Sequence, residues 1–169
     1  MKGKSLAILA GAVVILGAFI WFFERHQMTT EEAEAHQARV FGSLEEETVV
    51  NLEITNVHGH FSFRRHASGW QLIDPLEMDA DQAAVDTALR SLVQLDRHRT
   101  LDSGDVKLET YGLDNPRATI RLGVSSGQAY TLQIGDPTPL DSRRAVTLNS
   151  GSIILTGGRF FAAVTTELA

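Results

Sequence analysis

The sequence predicts an α+β protein with a mainly antiparallel sheet, preceded by a single N-terminal transmembrane helix. An uncharged run of 19 residues, 5–23, opens the chain. Most of the remainder alternates apolar and polar residues in short segments separated by turns, which indicates hairpins. One segment, 80–95, instead has apolar residues at helical spacing. Few helices among many hairpins are typical of an α+β domain.

The apolar run has the length of a membrane anchor. At about 1.5 Å per residue it covers roughly 28 Å, close to the hydrocarbon thickness of a bilayer. It ends in an aromatic cluster, Trp21-Phe22-Phe23, and lacks the small-x-small site of a cleavable signal peptide. We therefore expect an uncleaved anchor; a cleaved signal peptide and a buried core helix are the alternatives.

The charges on the two sides of the anchor predict its orientation. Lys2 and Lys4 precede it, whereas residues 24–47 hold seven acidic side chains against Arg25 and Arg39. The positive-inside rule places the N-terminus in the cytoplasm and the main domain in the periplasm of a bacterial inner membrane. Inside the anchor, Ala7 and Gly11 are small residues four apart, and such a spacing lets another helix approach closely.

The sequence divides into three regions. Residues 1–25 form the anchor, 26–47 an acidic juxtamembrane helix or linker, and 48–169 an exported α+β domain. The chain has no cysteine, which excludes thiol catalysis, disulfides and cysteine-bound metal. The exported domain carries 14 acidic and 11 basic side chains, a net charge of −3, so nucleic-acid binding has no electrostatic support.

The first half of the domain predicts three strands and a helix. Leu52 and Ile54 alternate with polar residues, as do Phe61 and Phe63 after a turn at His58-Gly59, and 70–73 follows a second turn. Asp79 is a suitable N-cap for a helix over 80–95. The residues expected to form its buried stripe are Val85, Ala88, Leu89, Leu92 and Val93.

The second half predicts further hairpins. Residues 95–101 suggest a returning strand, and 105–111 one or two helical turns that end at Gly112. The alternating segments 118–124 and 130–134 form one hairpin, and 146–148 and 152–156 another. A short helix over 159–166 closes the domain.

Two motifs stand out beyond this pattern: Tyr111-Gly112-Leu113-Asp114-Asn115-Pro116 and Leu132-Gln133-Ile134-Gly135-Asp136-Pro137-Thr138-Pro139. With Gly69-Trp70-Gln71-Leu72 and Asp74-Pro75, they resemble the bacterial family domain of unknown function 4340, over roughly 49–168. The resemblance implies one membrane helix, a periplasmic body and genes often placed beside ABC-type transporters related to those of gliding motility. It implies no catalytic residues.

The chemistry of these motifs indicates structural turns. Gly112 suits a positive φ, Pro116 a fixed φ, and Gly135 a tight exit from a strand. With Asp114 and Asp136 they are the predicted structural turn residues.

No constellation in the sequence predicts catalysis, a metal site or a cofactor. Four of the six histidines, His58, His60, His66 and His98, are interpreted as solvated turn residues, because no carboxylate is fixed near them as a further ligand. Acidic pairs such as Asp79 and Asp81 lie at a helix start, where carboxylates cap backbone N–H groups. No nucleophile elbow accompanies the serines.

Three local basic spots and one aromatic pair are candidate partner surfaces. The basic spots are Arg64-Arg65, Arg97 with Arg99, and Arg143-Arg144; the aromatic pair is Phe160-Phe161. If the arginines converge, they suit acidic lipid headgroups or an acidic protein surface. A solvated face for the arginines and core packing for the phenylalanines are the alternatives.

The sequence thus predicts a non-enzymatic, single-pass accessory or assembly subunit of an inner-membrane protein complex. The family resemblance suggests an ABC-type transport system as that complex. The expected partners are membrane protein subunits, with the bilayer contacted through residues 5–23. The alternative is a tethered periplasmic module that binds lipid or glycan in a groove around Trp70 and Tyr130.

Overall fold

The computed structural model describes residues 37–101, 107–138 and 143–165. Within these ranges it has nine β-strands in one antiparallel sheet, one 12-residue helix and a shorter one, which confirms the predicted α+β class. No helix in the described ranges is long and apolar enough to cross a membrane. The predicted anchor, with Ala7 and Gly11, lies outside them.

The strands follow one another mostly as hairpins. Their bounds are β1 Val49–Asn56, β2 Gly59–His66, β3 Gly69–Asp74, β4 Met78–Asp79, β5 Arg99–Leu101, β6 Ala118–Val124, β7 Ala129–Pro137, β8 Arg143–Leu148 and β9 Ile153–Gly157. Their order in the sheet is β4-β3-β2-β1-β6-β7-β8-β9-β5. The two predicted β units are therefore parts of one sheet.

The sheet consists of two halves with the same chain order. At its centre β1 pairs antiparallel with β6, with Glu53 opposite Arg121. Outward from this pair run β2-β3-β4 on one side and β7-β8-β9 on the other, and each half is followed by a helix. The exception is β5, which lies between the halves in sequence yet pairs with β9 at the far edge.

The first helix, α1 (Gln82–Val93), lies across the sheet as its apolar stripe predicted, and all five stripe residues are buried. Its N-cap differs from the prediction: Asp81, not Asp79, accepts the hydrogen bond from the Ala84 N–H. Asp79 belongs to β4, opposite Gln71. The Gln82 side chain fixes the helix start, because its amide exchanges two hydrogen bonds with the Trp70 backbone.

The shorter elements complete the helical part. The second helix, α2, spans Arg159–Thr165, and single 3-10 turns span Glu46–Thr48 and Leu108–Tyr111. The latter turn lies within the one or two helical turns predicted over 105–111, of which 105 and 106 lie outside the described residues. Gly112 ends it with φ 64°, the predicted left-handed conformation.

The main core lies between the sheet and α1, and it includes residues assigned to the linker from sequence. Val40, Phe41 and Leu44 are 1%, 5% and 8% exposed and pack in this core. The Val40 N–H donates to the Leu95 carbonyl, and Arg97 donates to that of Ala38. The folded domain therefore begins before Thr48, because these apolar side chains need the sheet for burial.

A smaller apolar cluster lies on the opposite face of the sheet. Leu113, Ala145 and Ile153 form its buried centre, with Tyr111 and Leu101 packed against it. The segment that carries the first motif thus covers the β8-β9-β5 end of this face.

Candidate functional site

The two motifs that resemble the family are in direct contact. Gly135, in β7, lies so close to the Tyr111 carbonyl oxygen that a Cβ at this position would overlap it, and it would press on the Leu113 side chain at 3.1 Å. A Cβ at Gly112 would lie 2.6 Å from an Asp136 carboxylate oxygen. The glycines of both motifs therefore allow the first motif to pack on β7.

Polar contacts reinforce this junction. The Arg117 backbone N–H donates to the Ile134 carbonyl at 2.8 Å, and its guanidinium forms an ion pair with Asp136. Both side chains of the pair are about half exposed, so the net stabilisation is small. Gly112 has the predicted positive φ, whereas Gly135 lies inside β7 and not at the predicted strand exit. Asp114 and Pro116 line a smaller pocket beside the junction.

A larger open cleft, of about 1070 Å³, lies where β7 and β9 end and β8 begins, below the C-terminal end of α1. Three arginines line it: Arg143, Arg144 and Arg159. The other lining side chains that enter the argument are His98, Asp96 and Thr156. Positive charge therefore predominates among the described residues that line this cleft, which is the candidate functional site.

Arg144 is held in a defined position in the cleft. Its guanidinium carbon lies 3.6 Å from the centre of the Phe161 ring, and Nη1 donates to the Gly135 carbonyl at 3.3 Å. Burial, followed by the positive charge of Arg117, lowers the pKa of Arg144 from its usual value, while Asp136 opposes this shift. Among the described residues no carboxylate oxygen lies within 4.0 Å of this guanidinium.

Thr156 lies next to Arg144 on the neighbouring strand. The two residues are register partners of β8 and β9. Strand alternation places both on the helix-covered face, the face of Val146 and Ile154. Thr156 is 0% exposed, yet its hydroxyl has no hydrogen-bond partner among the described residues. Such an orphaned buried hydroxyl is unusual and calls for an explanation.

The predicted basic spots converge only in part. Arg97 and Arg99 flank His98 beside β9, near Arg143 and Arg144. Arg64 and Arg65, on β2, lie in the other half of the sheet. Arg65 has local partners instead, since its guanidinium stacks 4.8 Å from the Trp70 ring centre and approaches Asp86 at 4.0 Å.

The two phenylalanines of the predicted partner surface differ in role. Phe160 is 5% exposed and belongs to the core, as the core-packing alternative foresaw. Phe161 is half-buried and supports the Arg144 guanidinium. Only Phe161 therefore contributes directly to the geometry of the cleft.

The histidines do not gather into a ligand set. His60 hydrogen-bonds through Nδ1 to the Thr55 hydroxyl at 2.9 Å, whereas His98 lines the cleft in the other half of the sheet. Within the described ranges no three His, Cys, Asp or Glu side chains are placed to hold a metal ion.

Sequence reasoning missed Thr156, His98 and Arg159 as members of the cleft. Thr156 follows Ile153, Ile154 and Leu155 in its strand, on the same face as Ile154. A polar residue in this buried apolar pattern is the signal that could have drawn attention to it. His98 and Arg159 carry no such signal. His98 comes to the cleft because its N–H pairs with the Leu155 carbonyl of β9, and Arg159 because α2 begins directly after β9.

In the part of the chain that the structure describes, these observations define one antiparallel sheet with two helices, a motif junction and an arginine-lined cleft. The family whose description reads Domain of unknown function (DUF4340) matches residues 70–168, a range that includes both motifs and the whole β6–α2 half. The chain belongs to this family. No curated protein and no solved structure matches it.

Proposed function

We propose that the chain is a non-enzymatic accessory or assembly subunit of an inner-membrane protein complex. Residues 5–23 anchor it, the N-terminus is cytoplasmic, and the sheet domain is periplasmic. The family resemblance suggests an ABC-type transport system as the complex. Its partners are the membrane subunits of that complex.

The observation that carries this proposal is the arginine-lined cleft. The domain as a whole is acidic, with a net charge of −3 from Thr48 onward, yet Arg143, Arg144 and Arg159 converge on one recess. Among the described residues that line it, Asp96 is the one acidic side chain. A local reversal of charge steers a complementary surface to one position and disfavours attachment elsewhere. The arrangement suits a docking subunit.

The alternative function, a tethered lipid- or glycan-binding module, required a groove around Trp70 and Tyr130. In the structure Trp70 is 3% exposed and lies below Arg65. Tyr130 is half-buried and packs edge-on against Phe41 at 6.0 Å. The cleft and the smaller pocket described above are lined by other residues, so neither supports a groove around these two rings.

Co-purification from membranes tests the proposal. The tagged full chain, extracted in mild detergent, is expected to retain other membrane proteins in fixed proportion. A lone monomer that carries bound lipid would contradict the accessory role and support the alternative. Reporters fused after Ala169 test the orientation: a reporter that works only outside the cytoplasm is expected to be active there, and activity of a cytoplasm-only reporter would refute the topology.

The Gly11→Leu variant tests whether the anchor also binds a partner. Leucine is compatible with lipid but fills the space beside a small residue, so we expect normal insertion and loss of the co-purifying subunits. Unchanged co-purification would mean that the anchor serves only as a tether.

A further inference from the structure

Arg144 and Thr156 are neighbours in the cleft. Among the described residues the guanidinium has no carboxylate partner and the hydroxyl has no hydrogen-bond partner. The guanidinium is stacked on Phe161 and hydrogen-bonded to one backbone carbonyl, with no carboxylate within 4.0 Å among the described residues. The hydroxyl is buried and has no hydrogen-bond partner there. Directly opposed residues on adjacent strands have Cβ atoms about 5 Å apart, so one small group can contact both side chains.

We propose that Arg144 and Thr156 form a carboxylate subsite that receives an acidic side chain from an extended segment of the partner protein. This inference rests on the proposed function and specifies its docking contact. The guanidinium donates charge-assisted hydrogen bonds to the carboxylate, and the Thr156 hydroxyl donates another. One bound carboxylate thus satisfies the orphaned hydroxyl and neutralises the partly desolvated cation.

The shape of the cleft favours a peptide over a membrane surface. Thr156 lines the recess but is 0% exposed, so its hydroxyl becomes accessible only when a neighbouring side chain moves aside. A protruding aspartate or glutamate side chain can fill so narrow an opening, whereas a flat bilayer cannot. At about 1070 Å³ the open cleft accommodates several residues of an extended chain.

Other residues that line the cleft can contact more of the partner segment than its one bound carboxylate. Arg143 and Arg159 line it together with His98, so further acidic residues of the same segment meet positive charge on either side of the subsite. Pro137 adds exposed apolar surface for the side chains between them. The occupant is therefore a short acidic stretch with interspersed apolar residues.

Fluorescence anisotropy of labelled hexaglutamate, titrated with the full chain in detergent, tests the subsite; hexaglutamine is the neutral control peptide. We expect hexaglutamate to bind and hexaglutamine not to bind. Because hydrogen bonds to charged groups are the strong ones, Arg144→Gln is expected to weaken hexaglutamate binding about tenfold or more and Thr156→Val about five- to tenfold. Wild-type affinity in either folded variant would overturn the proposal.

Thr147 provides a matched control for Thr156. It is also a buried threonine, 2% exposed, but its strand neighbours place it on the opposite face, and its hydroxyl is hydrogen-bonded to Gln133 at 3.2 Å. Thr147→Val is expected to lower the melting temperature and to leave binding unchanged. Thr156→Val should show the reverse, with reduced binding and an equal or higher melting temperature, because it removes an unpaired hydroxyl. A lower melting temperature for Thr156→Val, with binding intact, would assign the hydroxyl a structural role and refute the subsite.

Arg64→Gln is the control for Arg144→Gln, because it removes one positive charge outside the cleft and should leave hexaglutamate binding unchanged. Other anions serve as competing probes. Inorganic phosphate that displaces hexaglutamate at equal molar concentration would reveal a small-anion site and refute the peptide assignment. Vesicles of phosphatidylglycerol that bind the wild type but not Arg144→Gln would indicate a membrane contact and refute it too. If Thr156→Val loses hexaglutamate yet retains all co-purifying subunits, the subsite does not dock the partner, while the accessory role itself stands.

Discussion

Gly135 of β7 packs against the carbonyl oxygen of Tyr111, at the junction between the two family motifs. The contact leaves no room for a side chain on the glycine, and it holds the segment around Leu113 over the face of the sheet opposite α1. A motif that looks like simple turn chemistry in the sequence is thus a contact between segments more than 20 residues apart.

Substituting Gly135 by alanine should destabilise the domain strongly. The new methyl group overlaps backbone, which cannot move aside without shifting β7 or the motif, so we expect a loss of about 2 to 4 kcal/mol in the free energy of unfolding. Gly123 in β6 is the matched control, because it also lacks a positive φ and its Cβ would meet only the Asn51 side chain, at 3.2 Å. Thermal melts should show little change for Gly123→Ala; equal losses in the two variants would contradict the overlap.

Alanine substitutions at Gly112 and Gly42 distinguish the stability cost of a left-handed backbone from the cost of a steric overlap. Their φ angles are 64° and 63°, but a Cβ would meet Asp136 at 2.6 Å in the first case and nothing within 4 Å in the second. We expect Gly42→Ala to cost about 1 kcal/mol through the left-handed conformation alone. Gly112→Ala should cost more, by the energy of displacing Asp136 from its position beside Arg117. Indistinguishable denaturation midpoints would show that the carboxylate moves without penalty.

Phe41 tests whether the folded domain includes the residues before Thr48. It is 5% exposed and contacts Tyr130, so Phe41→Ala should lower the free energy of unfolding by about 3 to 5 kcal/mol through lost burial and a cavity. Glu45→Ala, at an exposed position of the same segment, is the control and should have little effect. A melting temperature unaffected by Phe41→Ala would mean that the residues around Phe41 belong to the linker and not to the folded domain.

Asp81 and Asp79 form a natural pair for testing the helix cap. Asp81 accepts from the Ala84 N–H at 3.1 Å, so Asp81→Ala should cost about 1 kcal/mol. Asp79 is exposed in the short edge strand β4, so Asp79→Ala should change stability by less than about 0.5 kcal/mol. Chemical denaturation of both variants measures the difference, and a larger loss for Asp79→Ala would contradict the observed cap.

Some features depended only on residues close together in the sequence, and these were predictable. The period-two pattern placed β1, β2, β6 and β7, and the helical stripe of Val85 and Leu89 predicted the buried face of α1. The positive φ of Gly112 followed in the same way, because a glycine that ends a helical turn is a local conformational signal.

Other features depended on which segments meet, and the tertiary structure alone decided them. Asp79 and Asp81 are both competent caps, but the pairing of β4 with β3 takes Asp79 into the sheet. Val40 and Phe41 follow an acidic, polar stretch that predicts a spacer, yet the sheet buries them.

The candidate site was likewise predictable only in part from the sequence. The sequence identified Arg143 and Arg144 as a basic spot through their adjacency. Their convergence with Arg159 and with the orphaned hydroxyl of Thr156 requires β8 to pair with β9 and the chain near His98 to lie along β9. Such pairings are chosen by the burial of both faces of the whole sheet, a non-local quantity that no short stretch of sequence contains.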